Sequence, residues 1–367
     1  MPTRSRRAHG LRAALAATAL LLAACRGDDT TAPVPSDPPA ATATATATAN
    51  ETTSTAATVA TETTSTDATN GRATSTTVPA WSPLPDVSNI EYASQSDAQR
   101  LDLYLPPDAE PPLPLLVFIH GGAWMAGDKR NEYAAGVVPL FVGEGYAVAS
   151  VNYRLSDEAV FPAQLLDVKA AIRWLRANAP TYGIDPNRIA AAGESAGAHL
   201  AALLGTTTGV PNYDDPGLGN AGVSSAVSAV VDWYGPVDLI AADAQLAANP
   251  ACAGALRPAD EPDPASTQLL GAPPADVPEL AAAANPITYL IPDRVVPPFL
   301  IEHGDVDCVV PYQGSVALHE EIEALFGPGR SQLVIVPGSG HYTAFDAAGQ
   351  VATVLAFLAA TIGAPAG

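Results

Sequence analysis

The chain has 367 residues, enough for one large domain or two small ones, and 48% of them are hydrophobic, which is enough for a sizeable core. It carries 38 acidic and 17 basic residues, and the resulting net charge of −21 argues against a nucleic-acid partner, because a polyanion would repel it. The same charge argues against a broad basic surface for anionic lipid and favours a soluble, acidic surface.

The N-terminal segment has the features of an export signal. Residues 11–24 are almost entirely apolar, follow several arginines, and are too few to span a bilayer of about 30 Å as a mature helix. The run ends Leu22-Ala23-Ala24-Cys25, which resembles a bacterial lipobox. That resemblance implies lipid attachment at the Cys25 thiol after removal of a signal peptide over residues 1–24. We therefore expect an extracytoplasmic chain, anchored by lipid to the outer face of a bacterial membrane; an ordinary secretory signal is the alternative.

Residues 25–80 consist mainly of Thr, Ala, Ser and Pro, and residues 41–49 read ATATATATA. This composition has no hydrophobic period and too little bulk to build a core, so we predict a disordered tether. A β-rich repeat is the alternative, since threonine favours strands. The catalytic domain is predicted to follow at residues 81–367.

Residues 81–367 alternate between strand and helix patterns, which predicts an α/β sheet. Strands are predicted at residues 89–93, 100–105, 113–119, 146–153, 188–192, 227–232, 298–302 and 332–336. Helices are predicted at 162–177, 195–204 and 350–362. Residues 235–297 interrupt this rhythm, and we expect them to form an excursion that shapes the pocket.

The motif Gly193-Glu194-Ser195-Ala196-Gly197 matches G-x-S-x-G between a predicted strand and a predicted helix. Its sharp turn needs residues without bulk two positions before and after the serine. The turn lifts the hydroxyl of Ser195 above the sheet at a helix N-terminus, where developing negative charge is favoured. We therefore predict that Ser195 is a nucleophile.

A glycine loop, His120-Gly121-Gly122-Ala123-Trp124, directly follows the strand predicted at 113–119. A tetrahedral intermediate needs hydrogen-bond donors aimed at its oxyanion. We predict that the backbone N–H groups of Gly121, Gly122 and Ala196 supply them. The alternative is a glycine turn without a catalytic role.

The serine needs a base, and a census of the six histidines favours His341, in a loop after the last predicted strand. The acid that orients this base is predicted in the loop after the strand at 298–302. Asp307 is the first candidate there and Asp305 the second, with Asp305 expected to cap the loop. The order Ser195, Asp307, His341 is the one found in α/β-hydrolases.

These motifs occur together with longer segments that resemble bacterial α/β-hydrolase esterases of the BD-FAE-like and hormone-sensitive-lipase-like groups. The segments are SVNYRLS (150–156), FPAQLLDVKAAIRWL (161–175), YGIDPNRIAAAGESAGAHLAALLG (182–205) and PPFLIEHGDVDCVVPY (297–312). The resemblance implies the α/β-hydrolase fold, with a mostly parallel sheet and helices on both faces. It also implies carboxylic ester hydrolysis through an acyl-enzyme, with no metal and no organic cofactor, on short acyl or polysaccharide-linked esters.

Several alternatives stay open at this point. The same triad serves amidases, formamidases and peptidases, and a surface-binding protein on this scaffold would need no catalysis. The exact ester and the oligomeric state cannot be read from the sequence. Cys252 and Cys308 are predicted to form a disulfide, since the chain is expected outside the cytoplasm; two free thiols are the alternative.

Overall fold

The computed structural model describes residues 84–254, 263–341 and 347–366, with backbone alone at 347–350. The predicted signal peptide at 1–24, the lipid site Cys25 and the tether at 25–80 lie outside the described residues. Within the described ranges, no helix combines the length and the apolar character needed to cross a membrane.

Eight strands form one sheet in the order β1-β2-β4-β3-β5-β6-β7-β8. In chain order they are β1 (Val87–Glu91), β2 (Arg100–Tyr104), β3 (Leu113–Ile119), β4 (Ala147–Val151), β5 (Ile184–Glu194), β6 (Ala229–Trp233), β7 (Phe299–Gly304) and β8 (Ser331–Val336). β1 pairs antiparallel with β2, and β2 pairs antiparallel with β4. Every other pair of neighbouring strands, from β4 and β3 across to β7 and β8, is parallel. The mostly parallel sheet confirms the predicted α/β-hydrolase fold.

Eight α-helices accompany the sheet in the described part of the chain. They are α1 (Glu132–Gly143), α2 (Ala163–Asn178), α3 (Ala196–Thr206), α4 (Ala242–Ala248), α5 (Pro264–Leu270), α6 (Pro278–Ala283), α7 (Tyr312–Phe326) and α8 (Ala347–Thr361). Side chains of α2, α3 and α7 pack on one face of the sheet, and those of α1 and α8 pack on the other. Two buried apolar layers therefore enclose the strands, which is why β3 is an unbroken apolar run.

Helix α1 is absent from the sequence-based predictions because Gly136, Pro139 and Gly143 interrupt its apolar pattern. It begins at a capping residue, since Asn131 Oδ1 accepts a hydrogen bond of 2.8 Å from the N–H of Ala134. β5 is longer than the predicted strand at 188–192, because its first residue, Ile184, pairs with Leu113 at the start of β3.

A buried ion pair fixes the loop after β4 against α2. The guanidinium of Arg154 donates to both carboxylate oxygens of Asp167, at 2.8 and 2.7 Å. Gln99 Nε2 donates to the same carboxylate at 2.7 Å. Asp167 is fully buried, so these donors replace the water that it loses on folding.

The described part of the excursion between β6 and β7, residues 235–254 and 263–297, contains α4, α5 and α6 and adds no strand to the sheet. Two contacts attach this part to the loop after β7. Asn249 Nδ2 donates to the carbonyl of Asp305 at 3.0 Å, and Cys252 is bonded to Cys308. The pairing predicted for the two cysteines is therefore present in the structure.

Reduction of this disulfide is expected to lower the free energy of unfolding by about 4 kcal/mol on the chain-entropy model, because it releases a loop closed across 56 positions. Guanidinium unfolding of the wild type and of a Cys252→Ser/Cys308→Ser double variant measures this. Thiol titration is the control, since reductant should expose two thiols beyond any from Cys25. Two reactive thiols already present in the native, unreduced chain would contradict the bond.

Candidate active site

The three residues of the predicted triad lie at the carboxyl ends of parallel strands. Ser195 follows β5, Asp307 lies in the loop after β7, and His341 lies in the loop after β8. Carboxyl ends of parallel strands meet at one edge of a sheet, where ligands of open α/β folds bind. Residues far apart in sequence are therefore brought together by the strand order alone.

Ser195 occupies a strained turn between β5 and α3. Its φ of +51° lies in the left-handed region, which non-glycine residues rarely adopt. A Cβ atom at Gly197 would lie 2.0 Å from the carbonyl oxygen of Ile119, and one at Gly193 would lie 2.4 Å from the backbone of Gly197. The turn therefore needs glycine on both sides of the serine, as the motif predicts.

The structure brings the three side chains into one row of hydrogen bonds. His341 Nε2 lies 2.9 Å from Ser195 Oγ, and His341 Nδ1 lies 2.7 Å from Asp307 Oδ2. All three residues are buried, with relative exposures of 7%, 0% and 4% for Ser195, Asp307 and His341. This arrangement has the geometry needed to move a proton away from the serine hydroxyl.

The other oxygen of Asp307 is held by the backbone. Oδ1 accepts from the N–H groups of Val309 and Val310, at 2.8 and 2.9 Å. Burial by itself raises the pKa of Asp307, but hydrogen bonds from His303 and His341 outweigh it and hold that pKa well below its usual range. The carboxylate therefore stays ionised.

Asp305, the second candidate for the acid, points elsewhere. Its Oδ1 accepts a hydrogen bond of 2.6 Å from the N–H of Gly338, in the loop before His341. Its carboxylate therefore ties together the two loops that carry Asp307 and His341. The sequence predicts that Asp305 caps its own loop, whereas this contact reaches the loop after β8.

The predicted oxyanion donor Gly121 is wrong in the structure. Its N–H donates to the carboxylate of Glu194, 3.3 Å from Oε1, and is therefore not free for an oxyanion. Gly122, Ala123 and Trp124 then adopt positive φ angles of 109°, 57° and 57°. Among the described residues, no acceptor is paired with the N–H of Gly122, Ala123 or Ala196. Ala123, which the sequence-based prediction did not name, therefore has an N–H available at the start of this loop.

Glu194 is a second residue whose structural role the sequence did not reveal. Besides the Gly121 N–H, its Oε1 accepts from Asn131 Nδ2 at 3.0 Å, so this carboxylate holds the glycine loop and the start of α1. Burial raises the pKa of Glu194, while Asn131, Gly121 and the nearby His341 oppose that rise. Its position inside the G-x-S-x-G motif is the one signal that could have drawn attention to it.

Two other described histidines, His120 and His199, occupy structural positions. His120 Nδ1 lies 2.7 Å from the carbonyl oxygen of Gly121 and orders the glycine loop. His199 packs edge-on against Trp124, and its Nε2 lies 2.6 Å from the carbonyl of Ala284. Burial lowers the pKa of His199 to about 4, which keeps this ring neutral.

His303, near the end of β7, also contacts the acid of the triad. Its Nε2 lies 3.2 Å from Asp307 Oδ2, the same oxygen that contacts His341. Its ring is fully buried. Nothing in the sequence distinguishes such a histidine from one that fills space in the core.

A cavity of about 550 Å³ opens at the serine. Its inner end is formed by Ala123, Trp124, Ser195 and Ala196. Its walls come from the excursion and from the loop after Asp307, and include Pro236, Leu239, Ile240, Leu246, Val309 and Pro311. Asp243, Asp263, Ser266 and Asp276 also line the cavity, so a substrate would contact apolar walls and acidic groups together. In the described ranges, no group of three or more His, Cys, Asp or Glu side chains is arranged to hold a metal ion.

Comparisons with known proteins agree with this geometry. A model of the BD-FAE family matches residues 101–322. Esterase LipC of Mycobacterium tuberculosis is 34% identical over 255 residues, which cover 66% of this chain and 57% of LipC. Esterase LipQ of the same organism is 33% identical over 266 residues, which cover 72% of this chain and 58% of LipQ. The chain thus spans little more than half the length of these relatives.

Two solved structures are similar in both sequence and fold. A bifunctional GH43-CE protein of Bacteroides eggerthii has a TM-score of 0.63 and 34% identity, over 75% of this chain and 38% of its own. A truncated carbohydrate esterase from gut microbiota has a TM-score of 0.62 and 33% identity, over 73% of this chain and 94% of its own. Between 73% and 75% of this chain therefore has a counterpart in these two folds.

Proposed function

Because this chain belongs to the BD-FAE family and has the α/β-hydrolase fold, we propose that it is a serine carboxylic ester hydrolase acting through an acyl-enzyme. The observation that supports this most directly is the row of contacts from Ser195 through His341 to Asp307, which begins at the inner end of a cavity. The names of the relatives LipC and LipQ, both esterases, point the same way.

In the proposed mechanism, His341 Nε2 takes the proton of Ser195 as Oγ attacks the acyl carbon of the ester. The negative charge that develops on the carbonyl oxygen is stabilised by the backbone N–H groups of Gly122, Ala123 and Ala196. His341 then gives its proton to the departing alcohol, and the acyl group stays on Ser195. The histidine next activates a water that releases the acid, while Asp307 holds the imidazole in the required tautomer and stabilises its cation.

The substrates that we propose are short acyl or polysaccharide-linked esters. The apolar walls around Ser195, among them Leu239, Leu246 and Val309, suit an uncharged acyl group. The carbohydrate esterase among the similar structures favours a sugar as the alcohol part. A panel of p-nitrophenyl acetate, longer p-nitrophenyl esters, acetylated xylan and an aryl formamide tests the proposal.

Each outcome of the panel distinguishes one class of function. We expect the highest kcat/KM on p-nitrophenyl acetate or release of acetate from xylan, with at least tenfold lower values on the longer esters. Preferred cleavage of the aryl formamide would instead make the chain an amidase or formamidase. Turnover of a peptide tested beside the panel, without turnover of the esters, would make it a peptidase, and no turnover of any of these compounds would favour a binding protein.

We also propose that the mature chain is attached to the outer face of a bacterial membrane through lipid on Cys25, with residues 25–80 as its tether. The support is the lipobox-like sequence before Cys25. Bacteria that express the full chain and are fed an alkyne fatty acid should incorporate the label into the wild type but not into a Cys25→Ala variant. Equal labelling of the two proteins would overturn the proposed anchor, and equal esterase activity in both would show that anchor and chemistry are separate.

A further inference from the structure

Besides His341, a second histidine contacts the carboxylate of the proposed triad. We propose that His303 is a positioning residue, which shares the carboxylate of Asp307 with His341 and thereby sets the pH at which His341 becomes a base. This inference rests on the proposed function and assigns His303 an effect on the reaction, although it touches neither substrate nor Ser195.

The contacts of His303 place it in a continuous row with the triad. It lies near the end of β7 and is fully buried. Its Nδ1 is 2.8 Å from Ser315 Oγ on α7, and its Nε2 is 3.2 Å from Asp307 Oδ2. The row therefore reads Ser315, His303, Asp307, His341, Ser195, with one carboxylate between two histidines and a serine at each end. Only one end of the row, at Ser195, borders the cavity.

The atoms around the ring define where its proton lies. Nε2 is 3.0 Å from the carbonyl oxygen of Val310, which receives the better-directed hydrogen bond, and Asp307 Oδ2 is the second oxygen beside it. Both oxygens are acceptors, so Nε2 must carry a hydrogen. The hydroxyl of Ser315 can in turn donate to Nδ1, which favours the tautomer with its proton on Nε2.

The consequence for His341 follows from the competition for one oxygen. The better-directed hydrogen bond of His303 Nε2 goes to Val310, but its N–H also lies 3.2 Å from Asp307 Oδ2 and offsets part of the negative charge that would otherwise stabilise the His341 imidazolium. The neutral form of His341 is the form that accepts the serine proton. Loss of the His303 N–H leaves more charge on Asp307, which favours the imidazolium of His341 and should move the acidic limb of the pH profile to higher pH.

Other titratable groups lie around the row. Glu194 faces His341 from the end of β5, and the ring of Tyr234 packs against both histidines, with centroids 4.8 Å from His341 and 6.5 Å from His303. Asp232, near the end of β6, is buried, interacts electrostatically with His303 and accepts from the N–H of Gly235. Two substitutions of His303 that differ in whether they keep an N–H donor share any effect on these groups, so a difference between their pH profiles would report the contact with Asp307.

The test is the pH dependence of kcat/KM on p-nitrophenyl acetate for the wild type, His303→Leu and His303→Gln. Leucine removes the donor, and the acidic limb of the profile should move to higher pH by about 0.5–1 unit. Glutamine keeps an amide donor at a similar reach, so its limb should stay within about 0.3 unit of the wild type. A uniform loss of activity in His303→Leu, with the acidic limb unmoved, would overturn the proposal and leave His303 a packing residue.

A second measurement does not depend on the variants or on turnover. Nitrogen NMR of histidine-labelled wild type should show the proton of His303 on Nε2, and a proton on Nδ1 alone would also overturn the proposal. Titration of the His341 signals in folded variants would detect the move to higher pH even without esterase activity. A wild type that hydrolyses no ester would therefore contradict the proposed function, whereas an unchanged His341 titration would contradict the role of His303.

Discussion

Replacing Ser195 by alanine is expected to lower kcat on p-nitrophenyl acetate by about 10⁴–10⁶-fold, because the variant has no oxygen to form the acyl-enzyme. The fold should survive, since His341 Nε2 is the partner that the described residues give the hydroxyl. Alanine also differs little from serine in volume, so the tight turn between the flanking glycines is preserved. The measurement is steady-state kinetics, with circular dichroism and a melting curve to verify the fold.

Ser228→Ala provides a matched control for that experiment. The Ser228 hydroxyl donates to the carbonyl of Asn187, at the opposite ends of β5 and β6 from the nucleophile. Its kcat should stay within about twofold of the wild type, because no contact links it to the cavity. Near-normal esterase activity in Ser195→Ala would remove this serine from the mechanism altogether.

The second large effect is expected at the acid. Asp307→Asn should lower kcat by about 10⁴-fold at neutral pH, as the same change does in chymotrypsin-type triads. An amide cannot stabilise the imidazolium of His341, and its NH₂ group would favour the wrong tautomer of that ring. The backbone N–H groups of Val309 and Val310 can still bond the amide oxygen, so the loop should keep its shape.

Asp305→Asn is the matched control, since it makes the same chemical change two residues away in the same loop. Its amide oxygen can still accept from the N–H of Gly338, and we expect less than a fivefold loss of kcat. The reverse result, with a large loss at Asp305 and a small one at Asp307, would identify Asp305 as the residue that orients the base.

Much of the sheet could be predicted because burial on both faces leaves a simple pattern in the sequence. β3 is seven buried apolar residues in a row, and both its ends are predicted correctly. Helix α1 could not be predicted in the same way, because glycines and a proline interrupt its apolar face and its stability comes from packing and a cap. Tertiary contacts, rather than local propensity, determine such an element.

The residues of the triad could be predicted from the sequence, but the direction of the backbone N–H groups in the glycine loop could not. Ser195, Asp307 and His341 each follow a predicted strand, and parallel strands bring such positions together. The error at Gly121 arose because the direction of an N–H depends on the φ angles that follow it, and three consecutive positive values begin at Gly122. The places of Glu194 and His303 depend on which side chains meet in the core, and no local pattern in the sequence records that.

The excursion between β6 and β7 supplies much of the cavity wall yet contributes nothing to the order or register of the strands. Its length and composition can therefore drift during evolution while the reacting groups keep their positions. Libraries that vary residues such as Leu239 and Leu246 should yield enzymes with new acyl preferences and an unchanged catalytic step. The bond at Cys252 is the one covalent point that such divergence must retain, because it fastens the variable wall directly beside the acid.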